Sequence, residues 1–165
     1  MSQPTLDPIQ AIEAALQQAY IFSKLSPAEL MLVSGVAQWV TFTQPSQLTK
    51  EGKPCDSMYV LAKGRLVVKE AITTDSELVI ARMAPGDVVA ELGFVDGQPA
   101  SATVRTDGPV ELVKIGYAEF RSLLAANPAL ETTFYRELVQ MLGNRIRNSN
   151  RSLRQTLLGS MISRA

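Results

Sequence analysis

Apolar positions change their period twice along the chain, which divides it into three parts. From about Asp7 to Tyr20, Ile9, Ile12, Leu16 and Ala19 recur at helical spacing and predict a first helix with one apolar stripe. Ser26-Pro27-Ala28-Glu29 announces a second helix: serine caps, proline takes the first turn, and glutamate falls three residues after the cap. Leu30, Val33 and Val36 or Ala37 give that helix its inward face. After Trp39 the texture becomes short β runs, at Trp39–Thr43, Leu48–Lys50, Ser57–Ala62, Arg65–Glu70, Glu77–Met83, Ala102–Thr106 and Val110–Ile115. Glu51-Gly52, Lys63-Gly64, Pro85-Gly86-Asp87, Asp96-Gly97 and Asp107-Gly108-Pro109 punctuate them as turns. Many short strands with glycine turns predict a sandwich or jelly roll.

Helical spacing returns at Tyr117–Ala125, is broken by Asn127-Pro128, and resumes near Ala129 in a long helix reaching about Ser160. That helix is about 30 residues, or about 45 Å, long. Leu130, Phe134, Leu138, Met141 and Leu142 mark its apolar stripe, and Ile146, Leu153 and Leu157 extend it. A helix reaching past the roll cannot bury such a stripe on its own domain, so pairing with a second copy is expected. Ser149 and Asn150 interrupt the heptad. The expected organisation is one domain over 1–165: helices at 7–37, a β-roll at 38–116 and C-terminal helices at 117–160.

One stretch carries candidate chemistry. Pro85 to Phe94, continuing through Asp96 to Val104, reads as a strand end, a tight turn, one short helical turn and a new strand. Such a turn leaves backbone N–H groups free to face an anion, with the Glu91 carboxylate beside them. The segment resembles the phosphate-binding cassette of the cyclic nucleotide-binding domain, whose pattern runs F-G-E-L-A-L, a short gap, then P-R-A-A-T-V. Glu91-Leu92-Gly93-Phe94 fits the first half, and Pro99, Ser101, Ala102, Thr103 and Val104 fit the second. Gly52, Gly64, Gly86 and the lead-in Ile21–Ser26 also fall where that family places them.

The resemblance implies a mainly β fold with flanking α: a jelly-roll-like β-roll followed by a long dimerisation helix. It implies no resident cofactor, with cAMP or cGMP as the possible ligand. Ribose would sit on Glu91 and phosphate on N–H groups around Leu92, Gly93 and Ser101, with Ala90, Ala100 and Thr103 completing the site. Two positions depart from the pattern. The usual glycine before the glutamate is Ala90, a mild change. The usual arginine is Ala100, a serious one, because a guanidinium fork suits a phosphate. A hydrogen bond to a charged group contributes about 1.5–3 kcal/mol, so its loss weakens binding roughly ten- to a hundredfold. The cassette then either binds weakly or survives only as a structural turn.

Arg105 is not expected to replace the missing arginine, because it lies five positions from Ala100 and a continuous strand sends the two to opposite faces. Arg145, Arg147, Arg151, Arg154 and Arg164 follow Glu137 with no further acid. They form a solvated basic face, or Arg145, with Asn144 or Asn148, faces the pocket, or they touch nucleic acid weakly. In the catabolite activator branch of the family the corresponding helix forms the dimer and closes over the ligand base.

Composition narrows the rest. Sixteen basic and sixteen acidic side chains cancel, so there is no global pull toward nucleic acid or acidic lipid. The single cysteine, Cys55, cannot form an internal disulfide and suits a reducing cytoplasm. No signal peptide or bilayer-spanning run is visible. With no histidine, imidazole-held metal and histidine-ligated haem are excluded, and one thiol cannot hold an iron–sulfur cluster. Trp39 and Cys55 are read as packing and turn residues, and Met58, Met83 and Phe94 as core. Few residues follow Leu158, too few for the helix-turn-helix of the family's transcription regulators, so no direct DNA binding is expected. The expected function is a cytoplasmic, non-enzymatic, homodimeric ligand sensor. The alternatives are a ligand-blind dimerisation or interaction domain and the sensor part of a truncated transcription regulator.

Overall fold

The structure, a computed structural model, describes residues 7–73 and 76–162, with side chains to residue 159. Two helices lead in. α1 spans Pro8–Gln18, with the Asp7 carboxylate accepting from the Ile9 N–H, and α2 spans Pro27–Gly35 behind the expected Ser26/Glu29 capping box. Between them Ala19 is extended and Tyr20–Phe22 forms a 3₁₀ turn, so the first helix stops short of Tyr20. Ile12, Ala15, Leu16 and Ala19 face the core, while Ile9, in the first turn, is exposed.

Eight antiparallel strands make the roll. They are β1 Ala37–Phe42, β2 Gln47–Thr49, β3 Ser57–Lys63, β4 Leu66–Thr73, β5 Ser76–Met83, β6 Val88–Val89, β7 Thr103–Thr106 and β8 Val110–Gly116. One sheet has the order β1-β8-β3-β6 and the other β2-β7-β4-β5. All seven expected strands are present within a few residues. The two-residue β6, paired to Tyr59 and Val60, is additional. Leu61, Leu66, Val89, Val104, Val110 and Leu112 fill the space between the sheets.

Three further helices complete the chain: α3 Glu91–Asp96, α4 Tyr117–Ala126 and α5 Pro128–Ile162. A second core lies between the helices and the β1-β8-β3-β6 sheet. Its centre is aromatic. Phe134 of α5 lies 5.7 Å from Phe22, 4.9 Å from Phe120 and 5.7 Å from Phe94, ring centre to ring centre. Phe94 belongs to α3, so the short helix touches the long one directly. Met58 and Phe94 are core and Trp39 packs partly buried against the helical cluster, as expected, whereas Met83, expected in the core, is only partly buried against the other cluster.

Leu130, Phe134, Leu138 and Met141 bury one face of α5. Off that face Val139, Ile146 and Leu153, seven residues apart, are exposed. No described helix is long and apolar enough to cross a membrane.

Candidate functional site

The site begins at Gly86, whose positive φ of 94° and close approach to the end of α1 both disfavour a side chain. Its N–H donates to the Leu61 carbonyl at 2.8 Å, and the Asp87 carboxylate accepts from the Ala84 N–H, closing the turn into β6. The chain then reverses at Ala90, with φ 63° and ψ 21°. Ala90 is the only non-glycine residue with positive φ among the described residues. In this backbone the change from glycine is not mild: an L side chain in the left-handed region costs about 1–2 kcal/mol.

That reversal aims Glu91 inward as the first residue of α3. Glu91 is 3% exposed, and its carboxylate is paired with the guanidinium of Arg145 on α5. The other arm of the same guanidinium donates to the Val88 carbonyl at 2.7 Å. One arginine thus holds the residues on both sides of the reversal. Burial pushes the Glu91 carboxyl above the usual carboxylate range, outweighing the attraction of Arg145.

Two further side chains hold cassette carbonyls. The Tyr117 hydroxyl donates to the Ala90 carbonyl. Burial, then the Cys55 thiol and the Glu91 charge beside it, push this phenol well above its ordinary value, so it stays protonated and donating. Arg121 donates to the Phe94 carbonyl at 2.5 Å, and its guanidinium lies 5.0 Å from the centre of the Phe94 ring. A Cβ at Gly93 would sit 3.0 Å from the Tyr117 hydroxyl oxygen, so a side chain there would push that hydroxyl aside. Gly97, in the left-handed region, ends α3 with its N–H on the Gly93 carbonyl.

The second half of the cassette is zipped to the turn after β2. Ala100 donates its N–H to the Lys53 carbonyl at 2.9 Å and accepts from the Gly52 N–H at 2.8 Å. The Thr103 hydroxyl accepts from the Glu51 N–H at 3.1 Å, and the Thr49 hydroxyl bridges the Ala102 carbonyl and the Val104 N–H. Thr103 is buried, and its hydroxyl oxygen accepts within this zipper. Ser101 and Leu92 are exposed.

Of the sequence-proposed residues, Ala90, Glu91, Leu92 and Gly93 therefore form one turn, with Arg145 bound to it. Ala100, Ser101 and Thr103 form the facing segment. Arg105 lies outside the site as expected, 3.4 Å from Glu77, although not for the expected reason. Ala100 precedes β7 and the two are not on one continuous strand. Arg145, Asn144 and Asn148 line a groove of about 230 Å³ between α5 and Gly86–Val88, with Tyr20 and Met141. A larger groove of about 480 Å³ lies behind Tyr117, lined by Cys55, Asp56, Lys114, Glu119 and Arg121 among others. Arg164 lies outside the described residues. Tyr117 and Arg121 went unread in the sequence, since nothing local marks a residue whose partner lies 27 positions away.

A family model for the cyclic nucleotide-binding domain matches residues 39–127, more than half of the chain. The chain belongs to the cyclic nucleotide-binding domain family. It is 25% identical over 142 residues to a CRP-like cAMP-activated global transcriptional regulator of Mycobacterium tuberculosis, covering 86% of this chain and 62% of that protein. It is 30% identical over 112 residues to a cAMP-dependent protein kinase regulatory subunit of Emericella nidulans, covering 68% of this chain and 26% of that one. Among solved structures, a cyclic nucleotide-binding domain from Methylobacillus flagellatus superposes with a TM-score of 0.75 at 25% identity, covering 86% of this chain and 79% of that chain. The Thermus thermophilus catabolite activator protein shares the fold at a TM-score of 0.71 and 21% identity, covering 82% of this chain and 62% of that chain.

Within this family's cassette, Ala90 and Glu91 each carry a measurable consequence. Ala90→Gly relieves the left-handed strain and should raise stability by about 1 kcal/mol, or roughly 2–4 °C in melting temperature. A calorimetric scan showing no rise would remove strain from Ala90.

Because the folded-state pKa of Glu91 lies above its unfolded value, its contribution to stability is fully present below the unfolded value. It is lost as pH rises through the folded one. Urea unfolding of wild type and Glu91→Gln in parallel should show the difference moving against wild type as pH rises above about 4. A difference that stays flat with pH would contradict a burial-dominated carboxylate.

Proposed function

We propose that the chain is a regulatory, non-enzymatic module that weakly binds a cyclic nucleotide, cAMP or cGMP, or a related anionic ligand, and signals through α5. The observation that carries this is the pairing of Glu91: the one buried acid of the cassette has the long helix as its partner. Sugar hydroxyls that donate to the Glu91 carboxylate would compete with Arg145 for it. Phosphate would meet N–H groups near Leu92, Gly93 and Ser101. Binding would then alter the position of α5 by as much as the ligand's affinity differs between the two arrangements of the helix. The names of the relatives support a cyclic nucleotide as ligand, since both are described as cAMP-activated or cAMP-dependent.

The same helix would carry the module into a homodimer. Val139, Ile146 and Leu153 form a heptad-spaced exposed row, which a second copy of α5 would cover in coiled-coil fashion. A second reading, a dimerisation domain blind to ligand, draws on Ala100, which leaves the cassette without its arginine, and on Arg145 already filling Glu91.

Titration calorimetry of cAMP and cGMP on wild type and Ala100→Arg separates the two. Wild type should bind weakly and the arginine should tighten binding by about ten- to a hundredfold. Absence of heat from both proteins would leave only the ligand-blind domain.

Sedimentation should show a dimer for wild type and a monomer for the double variant Ile146→Asp with Leu153→Asp. A wild-type monomer at high concentration would end the dimer proposal.

A further inference from the structure

The phosphate end of the candidate site lacks a cassette arginine, and the cations close to the cassette differ in whether they are free to replace it. Arg145 is bonded to Glu91 and, through its other arm, to the Val88 carbonyl, a bond that remains when a sugar hydroxyl takes Glu91; Arg121 is bonded to the Phe94 carbonyl, and Arg105 to Glu77 on the outer surface. Lys50 and Lys53 are exposed and have no ion-pair partner among the described residues.

These two lysines sit on the turn that is zipped to the cassette. Ala100 is bonded through its N–H to Lys53 itself and through its carbonyl to the neighbouring Gly52. The positive φ of Gly52, 73°, allows the turn to fold back this tightly. The intervening acid does not cancel their charge locally: the Glu51 carboxylate is turned away to accept from the Ala71 N–H at 2.8 Å. Lys53 is thus held through its backbone beside the residue that has lost its guanidinium, with an exposed ammonium on a flexible four-carbon stem.

We infer that Lys53 is the phosphate-binding cation of this cassette, supplied across the backbone zipper from the turn after β2 instead of from position 100. This rests on the proposed nucleotide-sensing function and assigns its anion contact. An ammonium is a point charge without the guanidinium's planar fork, so it gives a weaker and more salt-sensitive hold on phosphate. Weak binding is then a property of the site's design and not only of a missing residue.

The test titrates cAMP and adenosine, which lacks the phosphate, into wild type, Lys53→Ala and Lys50→Ala. Lys53→Ala should weaken cAMP by about tenfold, flatten the dependence of its affinity on salt, and leave adenosine unchanged. Lys50→Ala should stay within about twofold of wild type on both ligands. If wild type binds cAMP and Lys53→Ala binds it equally well, the Lys53 assignment is overturned while the sensing function stands. Equal losses in the two lysine variants would replace a direct contact with a diffuse field and overturn it too. If wild type does not bind cAMP at all, the assignment falls, and the cGMP titration above decides whether the sensing function falls with it.

Discussion

A buried carboxylate needs a partner, and the placement of Glu91 makes that partner a structural obligation. Leaving such an acid desolvated and unpaired is among the costlier things a fold can do. Glu91 is carried inward because Phe94, on the same short helix, is locked into the aromatic cluster around Phe134. Arg145 answers it from α5, eleven residues, or about three turns, beyond Phe134. The cassette and the long helix therefore meet twice, once through ring packing and once through charge. The two contacts differ in kind. Ring packing is indifferent to a polar ligand, whereas the carboxylate can exchange one set of donors for another. Any coupling between ligand and α5 is expected at Glu91, with Phe134 as the fixed point about which the helix would move.

The exposed share of the Arg145 side chain, 39%, sets the scale of that exchange. A fully enclosed pair would hold the helix too firmly for a small ligand to compete, and a fully exposed one would be worth little. This pair is enclosed at the acid and open at the base. Its rupture leaves a solvated arginine, and the ligand's hydroxyls can satisfy the acid.

Much of the architecture was legible because it is written locally. Gly52, Gly64, Gly86, Gly97 and Gly108 all adopt positive φ, so the turns separating the strands could be placed from residue type alone. The Ser26 cap and the stripe of Leu130, Phe134 and Leu138 depend on spacings of three and four, which sequence displays directly. What stayed hidden depends on who sits opposite. β6 has two residues, too few for any alternation to register. Ile9 fits the helical stripe of α1 yet lies in its first turn, beyond the reach of the core. At the site, Glu91, Gly93 and the loss of arginine at Ala100 could be read from one stretch. The roles of Tyr117, Arg121 and Lys53 could not, because each exists only through a backbone group brought in by the topology of the roll.

The carbonyls of Val88, Ala90 and Phe94 are all held by side chains from α4 and α5, without any ligand. A cassette fastened in this way is already ordered, so binding would not have to supply the entropy of folding the loop. The left-handed Ala90 is sustained by the same fastenings, since Tyr117 grips its carbonyl and Arg145 grips the residues on either side. Yet Arg145 belongs to both sets. It orders the loop and it occupies the acid that the proposed ligand would need. A ligand that takes Glu91 gains an ordered loop but gives up one of the three fastenings. The net preference for the moved helix is the difference between those terms and no larger. Such a site would respond over a modest affinity range, and the sign of its response would follow from which partner, Arg145 or a sugar hydroxyl, satisfies the buried carboxylate better.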